Sequence, residues 1–239
     1  MSRRHREYNP PIDGILLLDK PAGKTSHDLV YTIRRTFNLK KVGHGGTLDP
    51  AATGLLVMLL GKGTKASEFV MKGDKTYEGS IHLGVTTDSQ DADGTVTHEA
   101  DASAVTADQV TDAMAGWLGD REQIPPMVSA IKKGGKPLYK LAREGKVVER
   151  EPRKIVVHRF DLLCFEPPTV KFVVECSKGT YVRTLAHDVG QALGCGAHLS
   201  ALRRTISGNY SVSDAVTEEE LVRWTYDELK SRVFPVPAT

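Results

Sequence analysis

The sequence predicts an α+β protein built on a central mixed, mostly antiparallel sheet flanked by helices. Strand-length apolar runs and segments with helical periodicity are interspersed without strict alternation. Two long strand-like segments, "KIVVHRFDLLCF" and "TVKFVVECSKG", succeed each other as a paired hairpin would. No repeat or low-complexity tract interrupts the pattern.

Taken in order, "GILLLDKP" reads as a buried strand that ends at Pro21. Ser26 is expected to N-cap a helix whose Leu29, Val30, Ile33 and Phe37 fall on one face. "TGLLVMLLG" is a second buried strand, and "TYEGSIHLG" alternates with Tyr77, Gly79, Ile81 and Leu83 on one side. Thr106 with Gln109 forms a capping box for a helix running to about Trp117. Pro137 and Gly145 bracket a short helix, "PLYKLARE". After the two long strands come a helix from about Thr180 to Leu193 and a last one opened by the capping box Thr217/Glu220.

Composition sets the outer bounds. A chain of 239 residues with 40% apolar content supports a real core in one large domain or two modest ones. Cys164, Cys176 and Cys195 are odd in number and lack CxxC spacing, so neither a disulfide framework nor a zinc site is expected. The basic start "MSRRHREYNPP" has no apolar stretch behind it and does not read as a signal peptide. The longest apolar run, Leu55 to Leu60, is too short to span a bilayer. A cytoplasmic location without membrane association is expected.

The net charge of +2 is uninformative, but its distribution is not. Between Lys132 and Arg159 there are ten Lys/Arg against three Asp/Glu, whereas Asp101 to Gln123 holds five acids and one Arg. The basic stretch contains the glycine-rich "KKGGK" and Tyr139, a composition suited to gripping nucleic acid and equally that of a solvated loop.

Several motif readings fail on context. "DADGTV" matches a phosphatase nucleophile motif, but Asp91 follows the polar "TTDSQ" and not an apolar strand. Read as a calcium loop, the same stretch puts Ala100 where a bidentate Glu is required. An Asp- and Gly-rich turn between two strands is the better account. "HGGT" comes without the GxSxG elbow of esterases, and "GKGTK" lacks P-loop spacing.

Asp49 stands apart. It lies between the glycines 43, 45 and 46 and Pro50, with buried strands on both sides. Glycines let the backbone approach a ligand, and the proline stiffens the residue before it. Such a mounting suits a nucleophile or a base; a carboxylate that merely caps its own loop would look the same in sequence.

Six ordered segments resemble the TruB family of tRNA pseudouridine-55 synthases. "HGGTLDPAATGLL" resembles the catalytic motif and "GILLLDKPAGKTSHDLV" the opening motif around Lys20 and Pro21. "KTYEGSIHLGVTTDSQDADGTV" resembles the tyrosine motif, and "QIPPMVSAIKKGGKPLYKLAREGKVVEREPR" the RNA-gripping insertion. "CSKGTYVRTLAHDVGQALG" and "HLSALRRTISG" complete the set. Gly45 departs from the pattern, standing where the family usually has Ser or Thr.

The resemblance implies a pseudouridine synthase fold in a single catalytic domain over 1–239. It places the basic insertion at about 123–154; many relatives carry a C-terminal RNA-binding domain, and little room for a full one is expected here. It implies an isomerase acting on the T-loop uridine at position 55 of tRNA, with no metal, cofactor or obligatory protein partner. The partner it implies is the T-arm of tRNA. Asp49 falls at the nucleophile, Tyr77 at the tyrosine that stacks on the base and handles a proton, and Arg183 at the arginine pairing with the catalytic carboxylate. His44, Tyr181 and Leu202 fall at positions lining the nucleotide site. Lys132, Lys133 and Lys136 are expected on tRNA phosphates. The rival from another class is a non-catalytic RNA-binding or RNA-folding protein on the same scaffold, which would need no carboxylate facing RNA phosphates.

Overall fold

The structure, a computed structural model, describes residues 7–129, 131–146 and 148–236. The side chains of Lys132, Lys133, Pro137, Tyr139 and Arg143 lie outside that description, as do residues 1–6 and the last three residues. In chain order the first half gives β1 (Gly14–Lys20), α1 (Ser26–Thr36), β2 (Val42–His44), β3 (Thr53–Leu60), α2 (Ser67–Lys72), β4 (Lys75–Leu83), β5 (Val85–Thr87), β6 (Val96–Glu99), α3 (Ala107–Ala115) and β7 (Gly119–Gln123). The second half gives β8 (Lys132–Lys133), β9 (Lys136–Pro137), α4 (Leu138–Arg143), β10 (Arg153–Glu166), β11 (Thr169–Cys176), α5 (Val182–Ala192), β12 (Ala197–Ser207), β13 (Tyr210–Ser211), β14 (Val216–Thr217), α6 (Glu218–Leu221) and α7 (Tyr226–Arg232). The α+β architecture on a mixed sheet is the one the sequence predicts.

Two compact units result. The first joins the residues up to Lys75 with those from Arg203 onward; the second is Thr76–Leu202.

In the first unit the strand order is β14-β1-β3-β12. β1 runs antiparallel to β3 from Gly14↔Leu60 to Lys20↔Gly54, and β12 joins β3 in parallel at Arg203↔Thr53 and Arg204↔Gly54. The near-continuous apolar runs of β1 and β3 are explained by burial on both faces. Leu16, Leu18, Leu56, Met58 and Leu60 pack with Leu29 and Ile33 of α1 and with Leu221 and Leu229. The alternate residues Ile15, Leu17, Leu55, Val57 and Leu59 pack with Val70 of α2. One local expectation is corrected. The N-cap of α1 is Thr25, closed by a capping box with Asp28, and Ser26 is already inside the helix. The Ser26 hydroxyl is drawn away by a longer-range partner: it accepts from the N–H of Leu48 and donates to the carbonyl of the same residue.

In the second unit the order is β4-β11-β10-β7, and the first half of β12 lies beside β4, where Ser200 Oγ donates to the Ser80 carbonyl at 3.0 Å. The two long strands pair antiparallel as expected, from Val157↔Cys176 to Glu166↔Thr169. One face of this sheet is covered by α3 and α5, whose Val110, Met114, Val182, Leu185 and Val189 meet Phe160, Phe172 and Val174. The Asp-rich stretch is the turn between β5 and β6, again as the sequence indicates. No helix among the described residues is long and apolar enough to cross a membrane.

A pH test of the second unit follows from α5. Burial pushes the Asp188 carboxyl up to about 6. Because the folded value lies above the ordinary 3.8, ionising this group destabilises the fold. The penalty is absent below the ordinary value, develops as pH rises through that window and is constant above it. Asp188→Asn is therefore expected to raise the urea midpoint near about pH 7.5 and to leave it unchanged near about pH 3.

Candidate active site

Asp49 sits on the loop between β2 and β3, and the loop is tied at many points. At its start the Gly45 N–H donates to the Val57 carbonyl at 2.8 Å. In its middle Leu48 is held by Ser26 on both of its backbone groups. At its end the Pro50 carbonyl accepts from Gly23 N–H at 2.9 Å and from Lys20 Nζ at 3.0 Å. Lys20 Nζ also reaches the carbonyls of Ala52 at 2.6 Å and Pro21 at 3.0 Å. A backbone bond from Ala52 N–H to the Asp49 carbonyl closes the turn. Asp49 itself is an exposed residue on this ordered backbone.

Lys20 is fully buried, and burial lowers its pKa while the charges of Asp49 and Asp28 pull it back up. The lysine of the opening motif is thus a buried crosslink for the Asp49 loop and an electrostatic neighbour of its carboxylate. On the other side of the loop Arg204, also buried, donates to the carbonyls of Gly46 and Leu55. His44, at the end of β2, is half-buried with a buried Nδ1 that has no hydrogen-bond partner. Its pKa is pushed down by burial first, then by the Arg204 and His27 charges.

Gly45, the departure from the family pattern, has a steric reason. A Cβ there would stand 2.5 Å from Val70 Cγ1 and 3.1 Å from Val70 Cβ. Gly45→Ser is expected to lower stability by about 1–3 kcal/mol through overpacking. The added mutation Val70→Ala should recover most of that difference, as urea melts of the single and double variants would reveal.

The other site residues belong to the second unit. Arg183 lies in the first turn of α5 and is 5% exposed. Its Nη1 donates to Asp91 Oδ2 at 3.1 Å and its Nη2 to the Val128 carbonyl at 2.9 Å. The guanidinium carbon stands 6.0 Å from the centre of the Tyr181 ring. Tyr181 is the N-cap of α5, and its two backbone groups are bridged by the side-chain amide of Gln123. Tyr77 on β4 and Leu202 on β12 are partly buried against the same core.

The structure therefore brings His44 and Asp49 onto one tied loop in the first unit. In the second it joins Tyr181 and Arg183. Sequence reasoning missed Asp91 as the partner of Arg183, since it reads there only as part of a turn. The turn positions it: Gln90 adopts φ 66°, its side-chain oxygen accepts from Thr184 Oγ1 at 2.8 Å, and Asp91 Oδ1 accepts from Ser89 Oγ. An acid engaged by a buried arginine is a poor phosphatase nucleophile, which agrees with the rejection of that reading.

The basic insertion contributes a hairpin of β8 and β9 turning at Gly134 and Gly135, with φ of 59° and 80°. Lys136 is exposed there; the side chains of Lys132 and Lys133 lie outside the described part.

Comparison with known proteins decides the family. Residues 34–182 match the TruB family pseudouridylate synthase N-terminal domain, and residues 183–236 match the tRNA pseudouridylate synthase B C-terminal domain. The chain belongs to the TruB family. It is 52% identical to the tRNA pseudouridine synthase B of Opitutus terrae, over 94% of this chain and 93% of that one. It is 49% identical to the protein of the same name from Symbiobacterium thermophilum, over 100% of this chain and 79% of that one. Among solved structures, a chain of a Cbf5-Nop10-Gar1 complex superimposes with a TM-score of 0.75 at 31% identity, covering 97% of this chain and 67% of its own. A chain of an H/ACA RNP bound to a substrate RNA containing 2'-deoxyuridine gives a TM-score of 0.68 at 28% identity, over 97% of this chain and 63% of its own. The pseudouridine synthase fold expected from the TruB motifs is thereby established.

Proposed function

We propose that this chain is a tRNA pseudouridine-55 synthase, an isomerase that converts the T-loop uridine to pseudouridine with Asp49 as nucleophile. The observation that carries the reading is the Asp49 loop: an exposed aspartate, in the family's catalytic motif, on a backbone held by Ser26, Lys20 and Arg204. The names of the TruB relatives point the same way.

The reaction breaks the bond between uracil N1 and the ribose, turns the base and rejoins it through C5. The C5 proton is lost and N1 gains one, so atoms balance without oxidant or phosphate donor. A carboxylate suits the step because it can attach transiently and leave again. The target base must leave its stack, at a cost of a few kcal/mol, and an aromatic platform offsets part of that. Tyr77 is assigned the platform and the proton, and Arg183 the task of keeping the catalytic carboxylate ionised against desolvation. His44, Tyr181 and Leu202 are assigned to the nucleotide site, and the reaction is assigned to the cytoplasm.

The test uses tRNA carrying tritium at uracil C5, which isomerisation at the T loop must release to water. Release expected with unmodified tRNA, and absent when position 55 is cytidine, supports the reading. Binding without release would identify an RNA-binding protein instead.

The basic insertion is assigned to tRNA phosphates through Lys132, Lys133 and Lys136. Each such contact changes the slope of log affinity against log salt by roughly 0.7–0.9. Replacing all three by Ala is expected to flatten that slope by about two to three units, with little change in single-turnover rate at saturating tRNA. Titrations across a salt series check it, and an unchanged slope would leave the insertion a solvated loop.

A further inference from the structure

The largest fully buried side chain among the described residues is a cation, Arg204, at 2% exposure. Its Nε donates to the Leu55 carbonyl at 2.8 Å and its Nη2 to the Gly46 carbonyl at 3.3 Å. No carboxylate pairs with it among the described residues. A buried guanidinium satisfied only by carbonyls is less favourable for stability than an apolar side chain of similar volume. Its retention in the core therefore points to a task beyond folding.

Its placement indicates which task. Gly46 and Leu55 lie on either side of Asp49 in the chain, so one rigid fork ties the glycine turn of the loop to the strand β3 that follows it. The fork is itself fixed from behind. Arg204 pairs with Gly54 across β12 and β3, and a Cβ at Gly54 would stand 2.3 Å from the Arg204 carbonyl oxygen. The strand backbones meet there without slack, at a glycine with φ 95°. Gly46, with φ 113°, lies against the guanidinium: a Cβ added there would be 3.6 Å from Nη1.

We propose that Arg204 is a positioning residue for the isomerisation, setting the place of Asp49 by drawing the Gly46 and Leu55 carbonyls onto one buried guanidinium. The proposal rests on the pseudouridine synthase reading above. The same cation acts on His44, whose proton affinity is lowered chiefly by burial, next by Arg204 and then by His27. His44 thus reports on whether the cation is in place.

The experiment compares the wild-type protein with Arg204→Met and Arg204→Lys, reading single-turnover conversion of saturating tRNA and the His44 titration by NMR. Arg204→Met is expected to lose about 100-fold in rate, the scale of a misplaced catalytic group, with tRNA affinity within a few-fold of wild type. Its His44 pKa should rise, because one of the charges that lowers it is gone. Arg204→Lys keeps the charge but not the fork; its His44 titration should stay near wild type while its rate still falls by about tenfold. A Met variant within about threefold of wild type in rate, or with an unmoved His44 titration, overturns the proposal. Should the Met variant fail to fold, the Lys variant decides: a wild-type rate there sinks the idea. Failure of the functional reading looks different, because the wild-type protein would then form no pseudouridine at all.

Discussion

Asp49→Asn is expected to abolish pseudouridine formation while leaving tRNA affinity within a few-fold of wild type. The amide has nearly the shape of the carboxylate, and the loop is tied through its backbone by Ser26, Lys20 and Arg204. Ser26 holds Leu48, Lys20 holds Pro50 and Ala52, and Arg204 holds Gly46. The loop should therefore keep its form in the variant. What is lost is the negative, nucleophilic oxygen, and an amide cannot replace it in a covalent step. A loss of about ten-thousand-fold or more is expected, comparable to removing the central group of other covalent catalysts. The measurement is single-turnover conversion of tRNA by a variant shown by mass spectrometry to be free of deamidation. Turnover near wild type would remove Asp49 from the role of nucleophile.

Arg183→Lys should be the next most damaging change, even though it retains the charge. The guanidinium fork spans two fixed acceptors, Asp91 Oδ2 and the Val128 carbonyl, from a site with 5% exposure. An ammonium is a compact point charge on a flexible stem and cannot hold both directions at once. One acceptor is left with a poor or missing bond in a buried place, destabilising the second unit by about 1–3 kcal/mol. The functional effect should exceed the structural one. With the arginine assigned to the catalytic carboxylate, a misdirected cation is expected to lower the single-turnover rate by about 100-fold or more. Urea melts and rate measurements on the same preparation separate the two effects. A rate equal to wild type would show that the guanidinium geometry is immaterial to the chemistry.

The legible and illegible parts of this protein divide along physical lines. The strands of the first unit were readable because "GILLLDK" and "TGLLVMLL" are apolar on both faces, the mark of strands covered on both sides. The capping boxes at Thr106 and Thr217 were readable because their partners lie three residues away. The Asp49 loop was readable from its glycines and proline, and the chemistry proposed for it comes from the TruB motif. Ser26 reads as a cap in sequence because its actual partner, Leu48, lies 22 residues away in the Asp49 loop. Asp91 was read only as a turn residue because the arginine that engages it is 92 residues distant. Arg204 gave no signal: in "LRRT" nothing tells which of two arginines is buried, and the alternation of β12 places Arg204 inward while Arg203 pairs with Asp19. Contacts of this kind are set by strand register, and one chain carries no trace of register until it is folded.

The most direct test of the central claim is a map of pseudouridine in unmodified tRNA after incubation with the wild-type protein in the presence of EDTA. The account predicts a pseudouridine at the T-loop position 55, with no requirement for metal and no product when Asp49 is replaced by Asn. A tRNA that is bound but unmodified, or modified only at another position, would contradict it.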